Sequence, residues 1–152
     1  MAAVAVTVFN FHSCSKYEDN NGLSLRSKTG RLTGTWEVVK INGQSPSIYF
    51  ANALNAYGYN VSTDIDMEWE IESNNDISNE LSGTINISYG SYSYNTPINS
   101  VDNGEWEWGT NKESIEVDWN TAGSVELEIK KLTNSEMKLE NESGVEYEFE
   151  KQ

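Results

Sequence analysis

Histidine and cysteine occur once each, as His12 and Cys14, and no arginine follows Arg31. If the chain is processed near Cys14, what remains has no imidazole and at most one sulfur, at its very start. That excludes a Ser-His-Asp triad, a Cys-His pair, a His-ligated zinc and any disulfide. Carboxylates, Tyr, Lys and Ser are left for chemistry, so the sequence does not point to an enzyme, and no cofactor motif is present. Positive charge is scarce as well. Ten Lys and Arg stand against 24 Asp and Glu, a net −14, which argues against nucleic acid because phosphate must be neutralised by clustered bases. Leu, Ile, Val and Phe make up only 32 of 152 residues, at the edge of the composition of disordered chains. Five Trp and eight Tyr argue for order instead. The length suits one domain, and a domain of this size buries roughly two thirds of its unfolded surface without staples.

The N-terminus reads as an address. Residues 2–9, AAVAVTVF, form an apolar run far shorter than the roughly 20 residues that span a bilayer. The run suits the core of a secretory signal peptide, although no basic residue precedes it. Phe11-His12-Ser13-Cys14 resembles a bacterial lipobox, with a small residue directly before the modified Cys. The expected organisation is a signal peptide over 1–13, lipidated Cys14 with a polar tether over 14–29, and one domain over 30–152. The acidic pair Glu18-Asp19 resembles a surface-export signal of some Gram-negative lipoproteins. Membrane contact through acyl chains on Cys14, at the outer membrane, is the partner this implies.

From Leu32 onward the pattern has period 2, the mark of half-buried strands. In residues 65–72, IDMEWEIE, four apolar side chains alternate with four carboxylates. Similar runs lie at 32–41, 81–89, 105–108, 115–119, 125–129, 137–139 and 145–150, with a possible ninth at 91–94. Asn42-Gly43, Asn103-Gly104, Thr110-Asn111, Ala122-Gly123, Asn134-Ser135 and Ser143-Gly144 fall between runs and suit tight turns. Only residues 45–61 break the pattern, as a short helix or a lid loop. One apolar and one acidic face per strand, in about eight consecutive strands, predicts a single antiparallel up-and-down β-barrel, with a β-sandwich as the other solution.

The stretch from Leu25 to Trp36, with Gly34-Thr35-Trp36 as a G-x-W motif, resembles the opening of lipocalin-like domains in Gram-negative surface lipoproteins. Residues 127–139, LEIKKLTNSEMKL, look like that family's final hairpin. The resemblance covers roughly residues 25 to 151 and implies a calycin-type barrel, with Trp36 plugging one end. In lipocalins an arginine from a late strand packs over this tryptophan. Here only Lys131, Lys138 or Lys151 is placed to attempt that contact, and an ammonium does not stack as a planar guanidinium does.

Between Lys40 and Lys112 lie ten acidic residues and no base. Paired carboxylates suit glycoside hydrolysis, and clustered acidic oxygens suit Ca²⁺. Their alternation places them on solvent faces, where solubility explains them. The aromatics carry more information: Tyr49, Phe50, Tyr57, Tyr59, Trp69, Tyr89, Tyr92, Tyr94, Trp106 and Trp108 crowd the middle of the chain. Inward, they fill the core or line a cavity; outward, they stack on sugar rings. Three functions stay open: a binding module for a small apolar or neutral ligand, a glycan-binding surface lipoprotein, or an accessory lipoprotein for another envelope protein. The candidate cavity comprises Tyr49, Phe50, Tyr57 and Tyr59 over Trp69 and Trp106. A monomer is expected. The net charge favours a neutral guest unless Lys40 or Lys130 points inward.

Overall fold

The computed structural model describes residues 26–58 and 60–152; Cys14 and Tyr59 lie outside these residues. The elements run α1 (Lys28–Leu32), β1 (Gly34–Ile41), α2 (Pro46–Asn55), β2 (Asn60–Ile71), β3 (Asp76–Tyr89), β4 (Tyr92–Trp108), β5 (Ser114–Trp119), β6 (Gly123–Leu132), β7 (Glu136–Asn141) and β8 (Glu146–Lys151). Each strand pairs antiparallel with the next, and β8 pairs with β1, so the sheet closes into an eight-stranded barrel. Helix α1 spans the expected domain boundary at residue 30.

Alternation builds the walls. In β2, Val61, Ile65, Met67, Trp69 and Ile71 are buried, while Asp64, Asp66, Glu68 and Glu70 between them are exposed. Trp69 sits at the centre of the interior, its ring 5.0 Å from Phe149 and 5.4 Å from Trp119, both edge-on. That arrangement favours aromatic quadrupoles and fills the barrel below it. Two sequence expectations are corrected. The run at 91–94 is no ninth strand: it and the 105–108 run are the two ends of the 17-residue β4. Asn103-Gly104 is accordingly not a turn, since Gly104 pairs with both Ile77 and Trp119. A Cβ at Gly104 would lie 2.4 Å from the Asp118 carbonyl oxygen, so its glycine serves a close strand approach.

The outer surface carries a conflict. Glu136, Glu150, Glu37, Glu68 and Glu80 stand opposite one another on five adjacent strands. Lys131 pairs with Glu136 at 2.5 Å and the Gln152 amide donates to Glu37, but among the described residues no hydrogen bond or ion pair relieves Glu68. Like charges directly opposite on a sheet are destabilising, by about 0.2–1 kcal/mol per pair. Glu68→Lys is therefore expected to raise Tm by a few degrees at low salt. The gain should shrink in about 1 M NaCl, where the screening length falls to about 3 Å. Thermal melts of the variant at both salt concentrations check this.

Candidate functional site

The two ends of the barrel differ. At one end α1 lies across the strand termini. The Trp36 indole nitrogen donates to the Leu32 carbonyl at 2.7 Å, and the Trp108 indole donates to the Thr29 hydroxyl at 3.3 Å. Of the three lysines expected near Trp36, Lys151 is the one that covers it. Its ammonium sits 4.7 Å from the Trp36 ring centroid and donates to the carbonyls of Arg31, at 3.0 Å, and Thr33, at 2.6 Å. Gly34, at φ +133°, leaves room for the lysine stem, because a Cβ there would lie 2.6 Å from Lys151 Cε. Burial, and after it the charge of Arg26, hold the Lys151 pKa below the usual lysine value. A fully buried Trp36 under a lysine carrying two carbonyls makes this end a plug.

The opposite end is the mouth. There β1 pairs only with residues 68–71 of β2, so the rest of the β2 edge is open to other partners. Helix α2 covers it with side chains. Ser47 Oγ accepts from the Ile65 amide at 2.8 Å, and Thr63 Oγ1 donates to the Ser47 carbonyl. Asn55 brackets Val61, accepting from its amide at 2.6 Å and donating to its carbonyl at 3.0 Å. Pro46 at the first turn and the Ser45 hydroxyl, which accepts from the Ile48 amide, start the helix. This satisfies the short-helix alternative for residues 45–61.

Through α2, Tyr49 and Phe50 pack half-buried against the core, their rings 5.6 Å apart and edge-on. Leu81, Val125, Val145 and Tyr147 complete a partly buried apolar collar around the mouth. Trp69 lies beneath it, 6.0 Å from Tyr147. Burial, with Tyr49 adding, raises the Tyr147 pKa, so its phenol stays a neutral donor.

Of the expected cavity residues, the structure thus brings Tyr49 and Phe50 to the mouth above Trp69. Tyr57 is 81% exposed and takes no part in the packed collar. Trp106 is elsewhere: its amide bonds the Asn75 carbonyl, and its indole bonds the Glu72 carbonyl at 2.9 Å, beside Trp108 near the plugged end. The shear between β3 and β4 displaces it, since Glu105 already lies opposite Asp76, the first residue of β3.

Lys40 and Lys130 both face outward. Lys40 meets Glu148 at 3.4 Å, and Lys130 meets Glu128 at 2.7 Å and Glu140 at 3.3 Å. The carboxylates lie mainly on the outer faces. Asp102, on an inner face, accepts from the Thr121 amide and hydroxyl. Among the described residues no three His, Cys, Asp or Glu side chains converge on a metal-sized site.

Two polar atoms inside the barrel are left over. Among the described residues Trp69, 4% exposed, has no partner for its indole N–H, and Asn79, directly across from it on β3, has none for its carbonyl oxygen. Buried polar groups are hydrogen-bonded in the great majority of cases, and an unmet one costs roughly 1–3 kcal/mol. Asn79 was not visible in the sequence as a site residue, because a lone amide among alternating Ser and Glu carries no signal. Trp119 and Tyr147 fit the alternation but were indistinguishable from core. No protein-family model matches the chain, and no curated protein or solved structure matches it.

Proposed function

We propose that this protein is a lipid-anchored, lipocalin-like binding module of the bacterial envelope, holding one small, neutral and largely apolar molecule at the mouth of its barrel. The carrying observation is the unpaired donor and acceptor of Trp69 and Asn79 beneath an aromatic collar. Apolar walls with a few placed polar groups are the usual composition of small-molecule sites. A guest with a hydroxyl group supplies both an acceptor for the indole and a donor for the amide oxygen. Lys40 and Lys130 turn their ammonium groups outward to Glu148 and Glu128, away from the collar, which supports a neutral guest. The proposed anchor is Cys14, whose acyl chains would hold the domain at the outer membrane on the tether that follows.

Five tryptophans make intrinsic fluorescence a direct readout. Long-chain alcohols and sterols are expected to change it saturably, and the fatty acid of matching length to bind at least about tenfold more weakly, a difference of about 1.4 kcal/mol. Phe50→Ala is expected to weaken the alcohol at least as much, through loss of collar contacts. Equal response to acid and alcohol, or no response to either, overturns the reading of the ligand. The anchor is read separately: the full precursor should partition into detergent, and its Cys14→Ala variant should not.

A further inference from the structure

The β3–β4 hairpin stands apart from the rest of the surface. In a chain carrying a net −14, residues 82–101 contain no charged side chain. The hairpin also outgrows the barrel: β5 pairs only with residues 104–108 of β4, so residues 92–103 run past its end with no strand on their outer side among the described residues. Register places Tyr89 opposite Tyr92, and Ile87 opposite Tyr94. All four share the face that Trp106 and Ile77 present inward lower down, by strict alternation. Tyr89, Tyr92 and Tyr94 are 77%, 67% and 61% exposed. Three tyrosines thus stand on one uncharged face, their backbone positions about 7 Å apart along β4 and about 5 Å apart across the hairpin.

The edge and the face of this hairpin give different answers about an occupant. A free edge invites another strand, but Pro97 sits in its middle, opposite Thr84 on β3. Proline has no N–H, and within a sheet it occupies edges with its nitrogen toward the open side. Asn103, six residues further along β4 and of the same parity, turns its carbonyl outward to the Asn120 amide. Pro97 therefore interrupts the outward row of donors, and strand addition is blunted. The face remains. It lacks charge for an ionic partner and offers aromatic surface, with Thr96 next along the same side of β4.

We infer that the Tyr89, Tyr92 and Tyr94 face binds a neutral saccharide, one pyranose face against each ring. The electron-rich ring face attracts the polarised C–H bonds of a sugar, and rigid tyrosines lose little freedom on contact. The phenol hydroxyls meet the sugar hydroxyls without a charged group to desolvate. This site is separate from the collar at the barrel mouth and does not depend on what the mouth holds.

The test is calorimetric titration of the folded domain with soluble neutral hexasaccharides of glucose, xylose and N-acetylglucosamine, α- and β-linked. At least one should bind saturably. The Tyr92→Ala/Tyr94→Ala double variant should weaken it at least about tenfold, with Tm unchanged, and Tyr92→Phe/Tyr94→Phe should retain most of it. Phe50→Ala, at the mouth, should leave it unaltered. The inference is overturned by no binding to any of the sugars, or by binding that Phe50→Ala removes and the tyrosine variants do not. It is also overturned by dimerisation in light scattering that the tyrosine variant abolishes while no sugar binds, since the occupant is then a second copy.

Discussion

Gly83→Ala is expected to destabilise the domain by at least about 3 kcal/mol, lowering Tm by more than about 10 °C. Gly83 stands on the inner face of β3, between Ile65 on β2 and Ile98 on β4, where the three long strands leave the closed barrel. Its φ is +136°, and a Cβ there would lie 1.9 Å from the Asp64 carbonyl oxygen and 2.9 Å from Ile65 Cα. Both obstacles are backbone held in the β2–β3 ladder, so neither yields by a rotamer change. The methyl group must part the strands, and the hairpin bearing the tyrosine face would part with them. Gly43 supplies the control: its φ is +75°, but nothing lies within 4 Å of a Cβ. Gly43→Ala should cost only the strain of a left-handed residue, about 1–2 kcal/mol. Urea unfolding of both variants checks the pair, and similar losses would show that the close approach at Gly83 is not what fixes the ribbon.

The plugged end carries the second large effect. Trp36 is fully buried, bonded through its indole to Leu32 and covered by Lys151. Trp36→Ala is expected to cost about 3–5 kcal/mol, the range for removing a large buried aromatic. Trp36→Phe should cost less and keep the domain folded, so the contribution of Lys151 remains measurable. Lys151→Ala removes a cation over the ring and leaves the Arg31 and Thr33 carbonyls without their donor. In a double-mutant cycle with Trp36→Phe, the coupling should be about 0.5–2 kcal/mol, the span of cation–π contacts from exposed to desolvated sites. Chemical denaturation of the four proteins gives the number. Additive losses would mean that Lys151 acts only on the carbonyls.

Much of this fold was legible in alternation alone. Seven of the sequence runs each mark a strand of their own to within two residues at the ends of the run, because a half-buried antiparallel strand writes its two faces directly into the chain. The exception shows the limit: Asn103-Gly104 has turn chemistry, yet Gly104 is there because Asp118 of the neighbouring strand comes too close for a side chain. Such a contact belongs to the tertiary structure and leaves no local trace. Helix α1 was missed for a similar reason, since five residues ending in Arg31 and Leu32 have too few turns to show a period. At the mouth, Tyr49 and Phe50 were legible as aromatics in the one irregular connection. Trp106 was misplaced because strand shear, not sequence spacing, decides which end of the barrel a residue reaches. The pairing of Trp69 with Asn79 depends on register and was invisible before it.

The central claim is that the collar above Trp69 receives a neutral small molecule, and amide chemical-shift mapping tests it most directly. On titration with a long-chain alcohol, shifts should concentrate in α2, in β2 and β3 around Trp69 and Asn79, at Tyr147, and at the Trp69 indole N–H. The Trp36 and Trp106 indoles, both bonded to carbonyls away from the collar, should stay in place. Shifts confined to the outer acidic faces, or a Trp69 indole that does not move at saturation, would contradict the account.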